Sequence, residues 1–161
     1  MNEGCWKPQG RPSFAQGRLG HSNELSLFDS YQIVYDLKEY NIELKLFILR
    51  LNRGLFIWLG NQENKLSGLS VCLPSSLSML NQHTTTIYSV ADNNAQHSFG
   101  DYEENIACKI SKRFNCPTFV SISLPYEFTV LWNKINVLTQ NTFGQKVEQF
   151  IIDNLSTIKF L

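Results

Sequence analysis

Ile42–Gly60 reads IELKLFILRLNRGLFIWLG, and its reading sets the architecture of the whole chain. From Ile42 to Leu51 both alternating sets of side chains are largely apolar. Successive strand residues point to opposite faces, so this pattern predicts a central strand covered on both sides. Asn52-Arg53-Gly54 supplies turn residues that tolerate positive φ, and Leu55 to Leu59 returns as a second strand. The stretch therefore predicts a β-hairpin, closed by Gly60-Asn61-Gln62.

Upstream, Tyr31, Ile33, Tyr35 and Leu37 alternate with Gln32, Val34, Asp36 and Lys38, the period of a half-buried strand. Downstream, Leu69, Val71 and Leu73 alternate with Ser70 and Cys72 until Pro74 stops the run. The β-branched stretch Thr84 to Val90 predicts a further strand. A helix is expected over 101–114, because Tyr102, Ile106, Ile110 and Phe114 recur every four residues. Asp101 with Glu104 has the spacing of a capping box, Ser98 is a second possible cap, and Lys109, Lys112 and Arg113 oppose the dipole at the other end. Asn115 and Pro117 end it, and Thr118 to Leu124 follows as a strand. Phe128, Leu131, Ile135 and Leu138 fit a helical stripe, although Phe128 to Trp132 alone also fits a strand, and Gln145–Ile158 fits a helix better. Strands in succession with helices near the end define the α+β class: an antiparallel β-sheet of about six strands in hairpins and meanders, packed by two or three α-helices. Residues 1–22, with repeated Gly and Pro and no apolar run, are expected to form a flexible tail ahead of a single domain over 23–161.

Composition narrows the function. Fourteen basic and 14 acidic side chains balance, whereas phosphate neutralisation needs a clustered basic excess; no nucleic-acid partner is expected. No run of 18 apolar residues occurs, so neither does a spanning helix, and no membrane partner is expected. Cys5, Cys72, Cys108 and Cys116 in a chain without an evident secretory signal fit reduced thiols, which points to the cytoplasm, with the nucleus as a second location.

Catalytic and metal chemistry find little support. Cys72 with His83 or His97 is the visible thiol–base candidate, but Cys72 alternates with apolar residues and fits a core position. The four Cys and three His show no paired short spacing, so no metal and no cofactor are expected. Glu103 and Glu104 are the adjacent acids at the helix start, where complementing the helix dipole suffices to explain them. Trp58 fits a core or interface position better than a stacking platform for a base or sugar. What remains is surface: a lightly charged, aromatic-rich sheet protein suits protein binding.

Here the residues suggest a family. Arg50-Leu51, a tight turn and Leu55-Phe56-Ile57-Trp58-Leu59-Gly60 resemble the Trp-Gly hairpin of the proteasome assembly chaperone 4 family. Leu69 with Val71, Thr85-Thr86-Ile87, and Ile106-Ala107 opening a basic helix that leads to Asn115 and Phe119-Val120-Ser121 follow in that family's order. The resemblance implies a non-enzymatic chaperone that pairs with the similar proteasome assembly chaperone 3. The heterodimer would support formation of the α-subunit ring of the proteasome core particle, bound chiefly at the fifth α subunit. Either C-terminal helical stripe could correspond to the family's last helix. A trafficking scaffold of longin or profilin type is the alternative. For contacts to partners, the loop residues Asn61, Gln62, Glu63, Lys65, Asp92, Asn93, Asn94 and His97 are the expected set, with Trp58 and Phe119 supporting them from the core.

Overall fold

Side-chain alternation places the strands where the sequence predicts them. A computed structural model describes residues 29–61, 65–74, 83–90, 99–137 and 139–158. Among these the order is β1 (Asp29–Leu37), β2 (Ile42–Leu51), β3 (Gly54–Gly60), β4 (Gly68–Leu73), β5 (His83–Ser89), α1 (Gly100–Phe114), β6 (Thr118–Ser123), α2 (Glu127–Leu131) and α3 (Phe143–Thr157). The tail expected over residues 1–22 lies outside the described residues.

The α+β class and the six strands hold, but the sheet is mixed and not purely antiparallel. Its order is β1-β2-β3-β6-β4-β5, and β6 runs parallel to β3. A hairpin cannot join parallel neighbours; they need a long crossover, and β4, β5 and α1 together form it. Strand β6 thus returns into the middle of the sheet, between β3 and β4. The β2–β3 turn is as tight as expected, with Leu51 opposite Gly54. It does not use positive φ at Asn52 or Arg53; among the described residues the non-glycine positions with positive φ are Asn41, Asn115 and Gln140. Asn115 caps α1 in the left-handed conformation, which an Asn side chain tolerates better than most.

One face of the sheet carries the core. Leu44, Leu46 and Ile48 of β2, Leu55, Ile57 and Leu59 of β3, and Val120 and Ile122 of β6 are buried there against Ile106, Ala107 and Ile110 of α1 and Val147, Ile151 and Leu155 of α3. Tyr35 of β1 stacks on Phe150 of α3, their centroids 4.6 Å apart. Phe143 joins α3 to Tyr40, Phe128 and Trp132 at 5.0, 4.9 and 5.7 Å, and Trp132 stacks on Tyr102 of α1 at 4.7 Å.

Two helix expectations change. The Phe128–Leu138 stripe is helical only over Glu127–Leu131; beyond it Ile135 bridges Thr142, and the chain turns back instead of continuing the helix. The capping box expected at Asp101 and Glu104 does not form, because the Glu103 N–H already bonds the Phe99 carbonyl at 2.8 Å and Asp101 lies inside the helix. A capping box forms on α3: the Thr142 hydroxyl accepts from the Gln145 N–H at 3.1 Å, and the Gln145 side chain accepts from the Thr142 N–H at 2.8 Å. Thr142→Ala is expected to cost about 1 kcal/mol, read as a lower urea midpoint at unchanged slope.

Candidate functional site

The core side chains account for one set of each strand. The other set faces away from the helices, and here the sequence reading needs correction: β2 is apolar on both faces, yet among the described residues no helix packs on its second face. Registers align that face into rows across the sheet. Leu49 of β2 lies opposite Phe56 of β3, Phe56 beside Phe119 of β6, and Phe119 opposite Val71 of β4. One step along, Gln32, Phe47, Trp58 and Ser121 form the next row. Leu49, Phe47, Phe56, Trp58 and Phe119 are all only half-buried. Trp58 and Phe119 therefore stand on the open face and not in the core, which corrects the expected placement; Trp58 supports the segment after β3 from that face.

Trp58 has a defined pose. Its indole Nε1–H donates to the Lys65 carbonyl at 2.8 Å, tying the segment after β3 to the sheet. The ring lies over Gly60, where an added Cβ would fall 2.3 Å from two ring carbons. Only glycine leaves room for the indole at that place, which gives the Trp-Gly pair its physical meaning. Beside it opens a hollow of about 380 Å³, bordered by Gln32, Lys45, Phe47, Phe56, Trp58 and Lys65. Aromatic walls with a lysine rim suit an apolar side chain of another protein.

Of the expected contact residues, Asn61 and Lys65 flank this face at the end of β3. Gln62, Glu63, Asp92, Asn93, Asn94 and His97 lie outside the described residues. The aromatic row was missed, although a signal for it was present: a strand apolar on both sides, in a chain whose helices suffice to cover only one side of a six-stranded sheet.

The other candidate groups are placed differently. Cys72 is buried with its Sγ–H directed at Cys108 Sγ, 3.3 Å away. His83 is opposite Leu73, not Cys72, and so belongs to the other face of β5. Glu103, read from the sequence as a dipole-complementing acid, is 1% exposed and sits between β4 and β6. Its Oε1 accepts from the Ile122 N–H at 2.8 Å and its Oε2 from the Ser70 hydroxyl at 3.1 Å. Glu104 takes the surface role instead, accepting from the Thr86 hydroxyl at 2.7 Å. Among the described residues no three Cys, His, Asp or Glu side chains gather as a metal would need.

A half-covered sheet with an aromatic face is a geometry built for a protein partner, and comparison with known proteins agrees. The family described as Proteasome assembly chaperone 4 matches residues 43–124. The chain belongs to the proteasome assembly chaperone 4 family. The matched segment runs from β2 to β6 and holds the Trp58-Gly60 hairpin together with Phe119; β1, α2 and α3 lie outside it. Among solved structures, one from yeast, "Crystal Structure of a Novel Chaperone Complex for Yeast 20S Proteasome Assembly", is similar with a TM-score of 0.56 at 18% identity. The similarity covers 81% of this chain and 97% of that one, and it speaks for the fold. No curated protein matches.

Proposed function

We propose that this chain is a non-enzymatic assembly chaperone that works as half of a heterodimer. Its open sheet face pairs with a homologue of proteasome assembly chaperone 3, and the pair promotes formation of the proteasome α-ring, with the fifth α subunit as its main contact. The observation that carries this reading is the half-buried row Leu49, Phe56 and Phe119 running across adjacent strands, with no helix over it among the described residues. A chaperone that templates a ring and then leaves needs a modest interface with an aromatic centre, near or below the standard ~1,600 Å² of total buried area.

The test is co-expression with the proteasome assembly chaperone 3 homologue, followed by sedimentation analysis and affinity capture of the pair from cell extract. A one-to-one complex that brings down immature core-particle α subunits is the expected result. A chain that stays apart from that homologue, or that recovers small GTPases or coat proteins in place of α subunits, contradicts the proposal.

A further inference from the structure

Two thiols outside the pairing face meet across the core. Cys72 is fully buried on β4, Cys108 is half-buried on α1, and their sulfurs are 3.3 Å apart. The two belong to elements already packed on one another, since Ser70 of the same strand bonds Glu103 of the same helix. The chain between them contains β5, an edge strand whose residues are nearly all exposed. A bond between the sulfurs would close that segment into a loop and tie α1 to β4.

We propose that Cys72 and Cys108 form a reversible disulfide when the protein meets a hydroperoxide, clamping α1 to β4. In the first step the Cys108 sulfur, the less buried of the two, attacks the peroxide. An S–O bond forms, the O–O bond breaks, and the departing oxygen leaves as water or an alcohol once protonated. Cys108 is then a sulfenic acid, oxidised by two electrons. In the second step the Cys72 sulfur attacks the sulfenyl sulfur: the S–S bond forms, the S–O bond breaks, and hydroxide leaves with the Cys72 proton as water. Two thiols and one hydrogen peroxide thus give one disulfide and two waters. Burial, together with the neighbouring Cys72 thiol, pushes Cys108 up to about 12, so its thiolate is scarce at neutral pH. The pair responds to sustained peroxide and stays reduced at low levels. In a reducing compartment the bond is transient, as regulatory disulfides there are.

The full chain carrying Cys5→Ser and Cys116→Ser is treated with hydrogen peroxide. The expected product is a monomer lighter by two hydrogen atoms, with peptide mapping joining Cys72 to Cys108. Its melting temperature rises by about 5–15 °C, as closing a loop of this length predicts, and returns to the starting value with dithiothreitol. Adding Cys108→Ser, a change at the half-buried position, abolishes both the mass loss and the rise. Oxidation that stops at Cys108 sulfinic acid, a linkage that leaves the melting temperature unchanged or lowers it, or a rise that survives Cys108→Ser would each overturn the proposal.

Discussion

Phe56→Glu is expected to abolish pairing with the proteasome assembly chaperone 3 homologue while the isolated chain melts within a few degrees of the parent. Phe56 sits mid-row between Leu49 and Phe119 and is half-buried, outside the set of buried core residues. In the free chain a carboxylate at this place remains in water. In the complex it would be enclosed against apolar surface, and a charge desolvated at an interface centre costs about 2–4 kcal/mol, a loss of roughly 30- to 1,000-fold in affinity. Gly60→Ala tests the same face by another route. The added methyl displaces the Trp58 indole from its seat and with it the bond from Nε1 to the Lys65 carbonyl. Affinity should fall by about tenfold, the worth of roughly 1.4 kcal/mol. Binding isotherms for both variants, with thermal melts of each chain alone, separate a lost surface from a lost fold. If Phe56→Glu still pairs with unchanged affinity, the open face is not the contact and the proposed pairing geometry fails.

The strands were legible because alternation is a local signal: each predicted run overlaps its observed strand to within about two residues. Their order was not. That β6 slots between β3 and β4, parallel to one and antiparallel to the other, follows from how α1 carries the chain back over the sheet. No alternation within Thr118–Ser123 records which neighbours it meets. Capping was legible only in part for a related reason. Asp101-x-x-Glu104 and Thr142-x-x-Gln145 have the same spacing, and only where the chain enters the helix decides which becomes a cap. The open face illustrates a different limit. Hydrophobic pattern specifies that a side chain avoids water, and it does not say whether the cover comes from the same chain or from another. The apolar outer set of β2 was therefore read as covered, although among the described residues no helix lies over it. Gly60 and Trp58 were conspicuous in the sequence, but their shared reason, an indole lying on a residue without Cβ, is visible only in three dimensions.

Glu103 is the residue whose sequence reading and structural role differ most, and its substitutions separate two contributions. Its side chain leaves α1 and enters the gap where the β4–β6 ladder has stopped, beyond the pairing of Ser70 with Val120. There the carboxylate takes the Ile122 N–H that no β4 carbonyl accepts. Gly68 admits it: a Cβ at that position would lie 2.9 Å from both carboxylate oxygens. Past the gap the strands are held again by the Ser67 and Ser123 hydroxyls, 3.0 Å apart. Glu103→Ala removes the acceptor and leaves a buried N–H and a buried hydroxyl without it, so a loss of about 2–5 kcal/mol is expected. Glu103→Gln keeps the shape and both contacts, since its carbonyl oxygen accepts from Ile122 and its amide donates to Ser70. Burial pushes the Glu103 carboxyl above the ordinary carboxylate range, against the opposing pull of the Ile122 and Ser70 hydrogen bonds. The folded chain thus holds a proton that the unfolded chain has already released above its own value of about 4.3. Stability from that proton is fully present below the unfolded value and is lost as pH rises through the folded one. The neutral amide has no such loss. Denaturant unfolding from pH 4 to 8 should therefore show Glu103→Gln gaining on the parent as pH rises through the folded value. A variant that instead falls behind the parent as pH rises would mean that the ionised carboxylate stabilises the fold, with its two hydrogen bonds outweighing its desolvation.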